Sequence, residues 1–384
     1  MLQKRSIPGI CSEAISISMS ALIYNMKQPG IAVVNKEKLL ALDGLRGWMA
    51  LWVWVTHVVT MATLPLVKTH GIGMVLANGQ YAVCVFILLS GFVISNSATT
   101  HSWGDFIIRR AFRLFPAYLI CLAISVAIVG LSIELIEATP WPMMRIDDRL
   151  KYLHDSLEHF WPHLGLHVLL LHGLVPDSVL SSTSYAFMGQ AWSLTLEWQY
   201  YLIAGLLMKL SFKSKHLGFE LAVLIVLLMM AKVFTQPSFI ASYLWLFYIG
   251  HLFWKHFDQH ELWRYPVYFV ISLAMGPKAL AILLFGLIVY SSFHDGRLKH
   301  FFENRVSLFL GKISYGFYCV HMISIFLTGY VLIVVLKLDS RVLYAVLLIS
   351  LSLVFSLVLS ALLNRTVEQP MIRYARKITA SKPR

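Results

Sequence analysis

Charge is scarce in this sequence: only 13% of its residues are Asp, Glu, Lys or Arg, while 58% are hydrophobic. A soluble globular domain is nearer a quarter charged and half apolar. So much apolar surface cannot be hidden inside one aqueous domain of 384 residues, and the mean hydropathy of +0.70 says the same. Cysteine is also rare. Cys11, Cys84, Cys121 and Cys319 form no CxxC pair, and three of them sit in apolar blocks. They read as small buried hydrophobes, not as a disulfide framework or a zinc site. No internal repeat, low-complexity stretch or soluble second domain is evident, and no small-residue cleavage site marks the first residues as a signal peptide.

What is present is a series of apolar blocks. Segments 114–133, 217–234 and 342–363 approach the roughly 20 residues that a spanning helix needs. Lipid leaves only helices and closed barrels as spanning structures, and a barrel would show ten-residue alternating strands instead. The expected fold class is therefore all-α, a polytopic integral membrane helical bundle. Ten spans are expected, at 42–62, 77–96, 114–133, 191–209, 217–234, 239–255, 265–276, 279–293, 306–335 and 341–363. Gly276-Pro277 separates two short ones, which read as half-spans or as one broken unit. Segment 306–335 is long enough to begin in the interface or to contain a bend. Residues 1–38 form a leader, interfacial or disordered, and 374–384 a basic tail.

The formal net charge is +13. Lys and Arg gather in loops that alternate along the chain. With the N-terminus in the cytosol, about three-quarters of them fall on the cytosolic side, which is the positive-inside pattern. Ten helices with both termini cytosolic follow. That pattern and interfacial aromatic belts account for the basic charge without nucleic acid. The long outer loop, 134–190, is rich in Pro, Trp, His and acidic residues. Its short apolar piece 167–174 is expected to cap the bundle or re-enter it. Its histidines (His154, His159, His163, His167, His172) match no compact metal site and are expected to scatter toward solvent.

Ionisable groups inside spans cost several kcal/mol unless they face a cavity or a partner, about 3 kcal/mol at a helix centre. In the first helix Asp43 and Arg46 are three residues apart, which local ion pairing explains. His57 lies eleven residues beyond Arg46, so both share one face, separated by roughly 16 Å along the axis. A lone histidine in an apolar helix is as often merely hydrogen-bonded to a neighbour as functional. Arg110 and Arg113, one turn apart, serve as a topological stop or as a phosphate fork. Trp192 is a natural interfacial anchor; Ser193 and Glu197 share a face below it, and a carboxylate at that depth is rarely idle. Gly311, Ser314, Tyr318 and His321 make a polar stripe on one face of the ninth helix. Close helix packing explains the first two better than the last two. Val367-Glu368-Gln369-Pro370 reads as a helix end followed by a basic tail, or as part of a site.

Together these pieces resemble the acyltransferase-3 family of membrane O-acyltransferases, over about residues 39–373. The resemblance rests on Leu42-Asp43-Gly44-Leu45-Arg46-Gly47 with His57 in an Arg-x10-His pattern, and on Val85-Phe86-Ile87-Leu88-Leu89-Ser90-Gly91-Phe92. It continues with Arg110-x-x-Arg113, Trp192-Ser193-Leu194 with Glu197, Ile313-Ser314-Tyr315 with Tyr318 and His321, and the ending Glu368 and Pro370. It implies a cytosolic acyl-CoA co-substrate, acetyl-CoA by default, and no bound cofactor or metal. The implied acceptor is a hydroxyl of a sugar, glycan or glycolipid. By position His57 would be the general base, with Glu197 orienting it or positioning the acceptor. Arg46, Arg110 and Arg113 would bind the donor; Asp43, Trp192, Ser193, Ser314, Tyr318 and His321 would line the cavity or meet the acceptor, Tyr318 and His321 as donors to the thioester oxygen. Many members of that family carry a C-terminal SGNH-type domain; this sequence departs from that pattern, ending about twenty residues after the tenth expected helix, so a stand-alone membrane domain is expected, in a bacterial inner (plasma) membrane. The competing expectation is a proton-coupled transporter, since intramembrane Arg, His and Glu suit that work as well.

Overall fold

The computed structural model describes residues 40–63, 77–211, 216–256, 263–291 and 296–380, so the leader lies outside the described residues. Among the described residues there is helix and no strand. The order begins with α1 (Leu40–Met61), α2 (Gln80–Thr100) and α3 (Trp103–Ala127). Three short helices follow, α4 (Val129–Ala138), α5 (Ile146–Glu158) and α6 (Phe160–Val168). Next come α7 (Trp192–Ser211), α8 (Leu217–Val233), α9 (Leu244–Lys255), α10 (Arg264–Ser272) and α11 (Leu280–Ser291). The chain continues through α12 (Arg297–Glu303), α13 (Arg305–Tyr330), α14 (Arg341–Leu363) and α15 (Gln369–Ala380). Four stretches are long and apolar enough to cross a membrane by length and composition: Trp103–Ala127, Arg264–Ser291, Arg305–Val335 and Arg341–Ala380.

Each of the ten apolar segments is helical, with instructive differences at the edges. The third begins at Trp103, well before residue 114, because the Ser102 hydroxyl caps it by accepting from the Asp105 amide at 3.3 Å. Arg110 and Arg113 therefore project from the body of α3. Segments 265–276 and 279–293 form one broken unit. Their junction, a 3₁₀ stretch Leu273–Ala279, turns at Gly276 with φ of 65°, a value that glycine adopts without steric cost. The last two long helices each pass through a π turn, at Val331–Val335 and Asn364–Glu368. After the second, residues 369–380 continue as α15, which docks on α3 through Arg109 Nε donating to Thr379 Oγ1 at 2.7 Å.

The centre of the bundle is the contact of α1 with α13, the most extensive helix pairing in the molecule. A Cβ added at Gly311 would lie 2.1 Å from the Asp43 carbonyl oxygen, and one at Gly47 would lie 2.5 Å from the Gly311 nitrogen. The two backbones touch, which only glycines at the crossing allow. α2 and α9 cross in the same way at Gly91 and Gly250. On α14 the order of a soluble helix is inverted. Ser352, Ser356 and Ser360 are buried while Val346, Val354 and Val358 are exposed, so small residues face protein and large ones face outward. At one end of α8 to α10, buried Glu220 accepts from Lys255, His256 and Arg264, each at 2.9 Å, and from the Tyr268 hydroxyl at 2.7 Å. Removing any partner would leave part of a buried charge uncompensated, so this cluster locks three helices together.

The segment between α4 and α7 caps the bundle. Tyr118 of α3 donates to the His167 carbonyl at 2.9 Å, and Thr195 of α7 donates to the Leu170 carbonyl at 2.7 Å. The expected scatter of its histidines toward solvent holds for His154 and His159, which are exposed, but not for the other three. His163, His167 and His172 are fully buried, and the rings of His167 and His172 stack with centroids 4.0 Å apart. The helical turn of α6 puts His163 and His167 on the face that seals the cap, a consequence of four-residue spacing. Burial lowers the pKa of all three, that of His167 to about 4, so they are neutral at physiological pH.

Candidate active site

A narrow cavity of about 90 Å³ opens among α1, α2, α3, α7 and α13. Arg46 enters it from α1, and Arg110 and Arg113 from α3. Opposite them stand Glu197 and Tyr201 of α7 and Ser314 and Tyr318 of α13. Three guanidinium groups from two helices thus converge on one space with a single carboxylate. Arg46 donates to Asp43 at 3.3 Å, and the Arg110 guanidinium lies over the rings of Phe106 and Tyr201 at 5.5 and 5.6 Å. A guanidinium in such a setting is suited to gripping phosphate. Glu197 Oε1 accepts from the Tyr201 hydroxyl one turn away and from Ser90 Oγ at 3.4 Å.

Tyr318 closes the far side. Its hydroxyl donates to the Gln190 carbonyl at 3.0 Å and shares a 2.6 Å hydrogen bond with Ser193. Gln190 in turn donates from Nε2 to the Cys319 carbonyl at 3.0 Å, which ties the start of α7 to α13. Beyond Tyr318 lies His321, whose ring faces His57 with centroids 5.3 Å apart. His321 Nδ1 is 2.7 Å from the Tyr318 carbonyl. A carbonyl only accepts, so Nδ1 carries the proton and Nε2 presents its lone pair. That Nε2 is buried and has no hydrogen-bond partner.

The structure brings Arg46, Arg110, Arg113, Glu197, Ser193, Ser314 and Tyr318 to one cavity, and sets His57 and His321 together beyond it. Asp43 and Trp192 stand outside the lining. Asp43 is a half-exposed partner of Arg46, and Trp192 rests on Tyr243 with ring centroids 5.6 Å apart. Glu197 hydrogen-bonds Ser90 and Tyr201, not His57. Three polar residues were missed from sequence. Tyr201 follows Glu197 at i+4, a spacing that could have flagged it; Gln190 and Ser90 had no such signal. A fourth, Arg149 of α5, donates to Thr60 Oγ1 at 3.0 Å, and Thr60 donates to the His57 carbonyl at 2.8 Å. That places a guanidinium of the segment between α4 and α7 beside the His57 end of α1. Among the described residues no group of His, Cys, Asp and Glu converges as a metal site.

Comparison with known proteins identifies the family. Residues 39–294 match the family model Acyl_transf_3, described as an acyltransferase domain. A protein of Acidianus two-tailed virus named "Putative acetyltransferase ORF330" is 25% identical over 340 residues, covering 82% of this chain and 91% of its own length. No solved structure matches the chain.

Proposed function

Since the chain belongs to this acyltransferase family, we propose that it is a membrane O-acyltransferase that moves an acyl group, acetyl by preference, from cytosolic acyl-CoA to a hydroxyl of a sugar, glycan or glycolipid. On this reading it crosses a bacterial inner (plasma) membrane ten times with both termini cytosolic. The observation that supports it most is one of geometry. Arg46, Arg110 and Arg113 line a cavity whose far wall is Tyr318, one turn from His321, and His321 faces His57.

The chemistry follows from those positions. The three guanidinium groups at one end hold the phosphates of the donor, and the thioester reaches along the cavity toward Tyr318. The acceptor enters from the His57 side. His57 takes the proton of its hydroxyl as the oxygen attacks the thioester carbonyl; the C–S bond then breaks and the thiolate leaves with that proton. His321 Nε2, a bare acceptor, suits an N–H of His57 and would hold the second His57 nitrogen toward the acceptor. That role differs from donation to the thioester oxygen. Tyr318, whose hydroxyl proton goes to the Gln190 carbonyl and would turn to the thioester oxygen when the donor is bound, is the better donor there. The carrier reading has no comparable observation of its own.

The test is incorporation of labelled acetyl from acetyl-CoA into total glycan and lipid, in membranes holding the wild type or His57→Ala at matched level. Label that appears with the wild type and vanishes in the variant is the expected result. Label that persists in the variant would remove His57 from the mechanism.

A further inference from the structure

A second concavity, of about 490 Å³, lies on the other side of α13, between it and the turn joining α14 to α15. Phe309 and Lys312 of α13, Ala361 of α14, Asn364 and Arg365 of the π turn, and Arg373 of α15 form its walls. No residue lines both this groove and the candidate active site.

Its charge is of one sign. The side chains of Lys312, Arg365 and Arg373 are exposed, and none is hydrogen-bonded or ion-paired to a described residue. No carboxylate lines the groove, and Glu368 of the same π turn is turned inward: it is 5% exposed, accepts from Asn364 Nδ2 at 3.2 Å and rests against Gly316. Cations at helix ends often serve only as interfacial anchors, spread around the helix. Here the backbone gathers them. Eight residues of regular helix would leave Arg365 and Arg373 roughly 80° apart; the extra residue of a π turn removes about 100° and returns them to one face. Asn364 Nδ2 also donates to the Lys312 carbonyl at 3.0 Å, which pins the wall bearing Lys312 to the turn bearing Arg365.

The surroundings indicate the kind of ligand. Phe309 of the groove wall is 48% exposed, and on α14, next to Ala361 in sequence or one turn before it, Leu362 is 55% and Val358 58% exposed, on helices long and apolar enough to cross a membrane. An occupant must set a phosphate among three cations while its chains lie along exposed apolar side chains. A diacyl phospholipid does both, and basic pockets between spanning helices take anionic head groups. We propose that this groove binds the phosphate of an anionic phospholipid of the phosphatidylglycerol type, which seats the α14–α15 turn against α13.

The test is native mass spectrometry of the full chain from mixed micelles holding equal dioleoyl-phosphatidylglycerol and dioleoyl-phosphatidylcholine. Wild type should retain phosphatidylglycerol in preference, and the preference should fall roughly fivefold for each cation removed in Lys312→Gln, Arg365→Gln and Arg373→Gln. Arg376→Gln/Lys377→Gln removes two charges from α15 outside the groove, more than any single groove variant, and should leave the preference intact. Equal loss in this control would reduce the effect to net charge and overturn the site, as would unchanged retention in the groove variants. Displacement of the lipid by excess inorganic phosphate or by coenzyme A would assign the groove to a soluble anion and overturn the lipid reading. The single variants guard against a multiple variant that fails to fold.

Discussion

His57 of α1 and His321 of α13 face each other with ring centroids 5.3 Å apart, although 264 residues separate them in sequence. The pair exists because Gly47 and Gly311 let the two helices touch at one end, so that their side chains still meet farther along. With His321 Nδ1 committed to the Tyr318 carbonyl, the free nitrogen of the pair is an acceptor.

From that assignment His321→Asn should be informative, because the Asn amide can still donate to the Tyr318 carbonyl while offering nothing in place of Nε2. Acyl transfer should fall by about 10²-fold, within the range of acid–base contributions, with expression and melting temperature near wild type. Steady-state assays alongside thermal melts would check this. Full activity in the variant would leave His57 without need of His321.

Arg110 lies over Phe106 and Tyr201, and a lysine there would keep the charge but lose the plane and the fork. Arg110→Lys should raise KM for acyl-CoA by about tenfold and change kcat much less. An effect on kcat alone would move Arg110 from donor binding to the chemical step.

Tyr201 and Glu197 act as one unit if their hydrogen bond is what holds the carboxylate in the cavity. Tyr201→Phe and Glu197→Gln should each reduce activity, and the double variant should lose less than the product of the two losses. A double-mutant cycle on kcat/KM measures this. Strict additivity would mean that Glu197 works without Tyr201.

At the α1–α13 crossing no side chain fits, since a Cβ at Gly311 would lie 2.1 Å from a carbonyl oxygen that belongs to rigid helix backbone. Gly311→Val should cost at least about 3 kcal/mol and lower the yield of folded protein sharply, because the backbones must part to admit it. Size-exclusion profiles and melts in detergent report the outcome. A normal melt would show that the helices can separate without cost.

The cap between α4 and α7 should weaken in acid. Burial holds the His167 pKa at about 4, below the value of about 6.5 in an unfolded chain. The unfolded state therefore binds more protons between those limits, so stability rises with pH across this window and is lost as pH falls from about 6.5 toward 4. His163 and His172, also lowered by burial, act in the same direction. Hydrogen exchange at residues 160–174 should speed up below about pH 6 in the wild type. It should do so less in His167→Asn. An exchange rate without pH dependence beyond the intrinsic chemistry would count against this.

Much of this protein was legible in its sequence because it depends on local composition. Scarce charge and long apolar blocks determined that it is helical and rich in membrane-length segments. Periodicity placed Arg46 with His57, Arg110 with Arg113, and Ser314 with Tyr318 and His321 on shared faces. The order of those pieces pointed to an acyltransferase family. Spacing says which residues share a face, but not what that face meets across a helix crossing. In lipid every apolar face looks alike, and small residues and backbone approach decide which helices pair. Only the tertiary structure therefore decided that His57 meets His321, that Glu197 meets Tyr201, and that Asp43 and Trp192 stand outside the cavity. Only it, too, turned three histidines of the segment between α4 and α7 inward. A π turn, invisible in composition, brought Arg365 and Arg373 into one groove with Lys312.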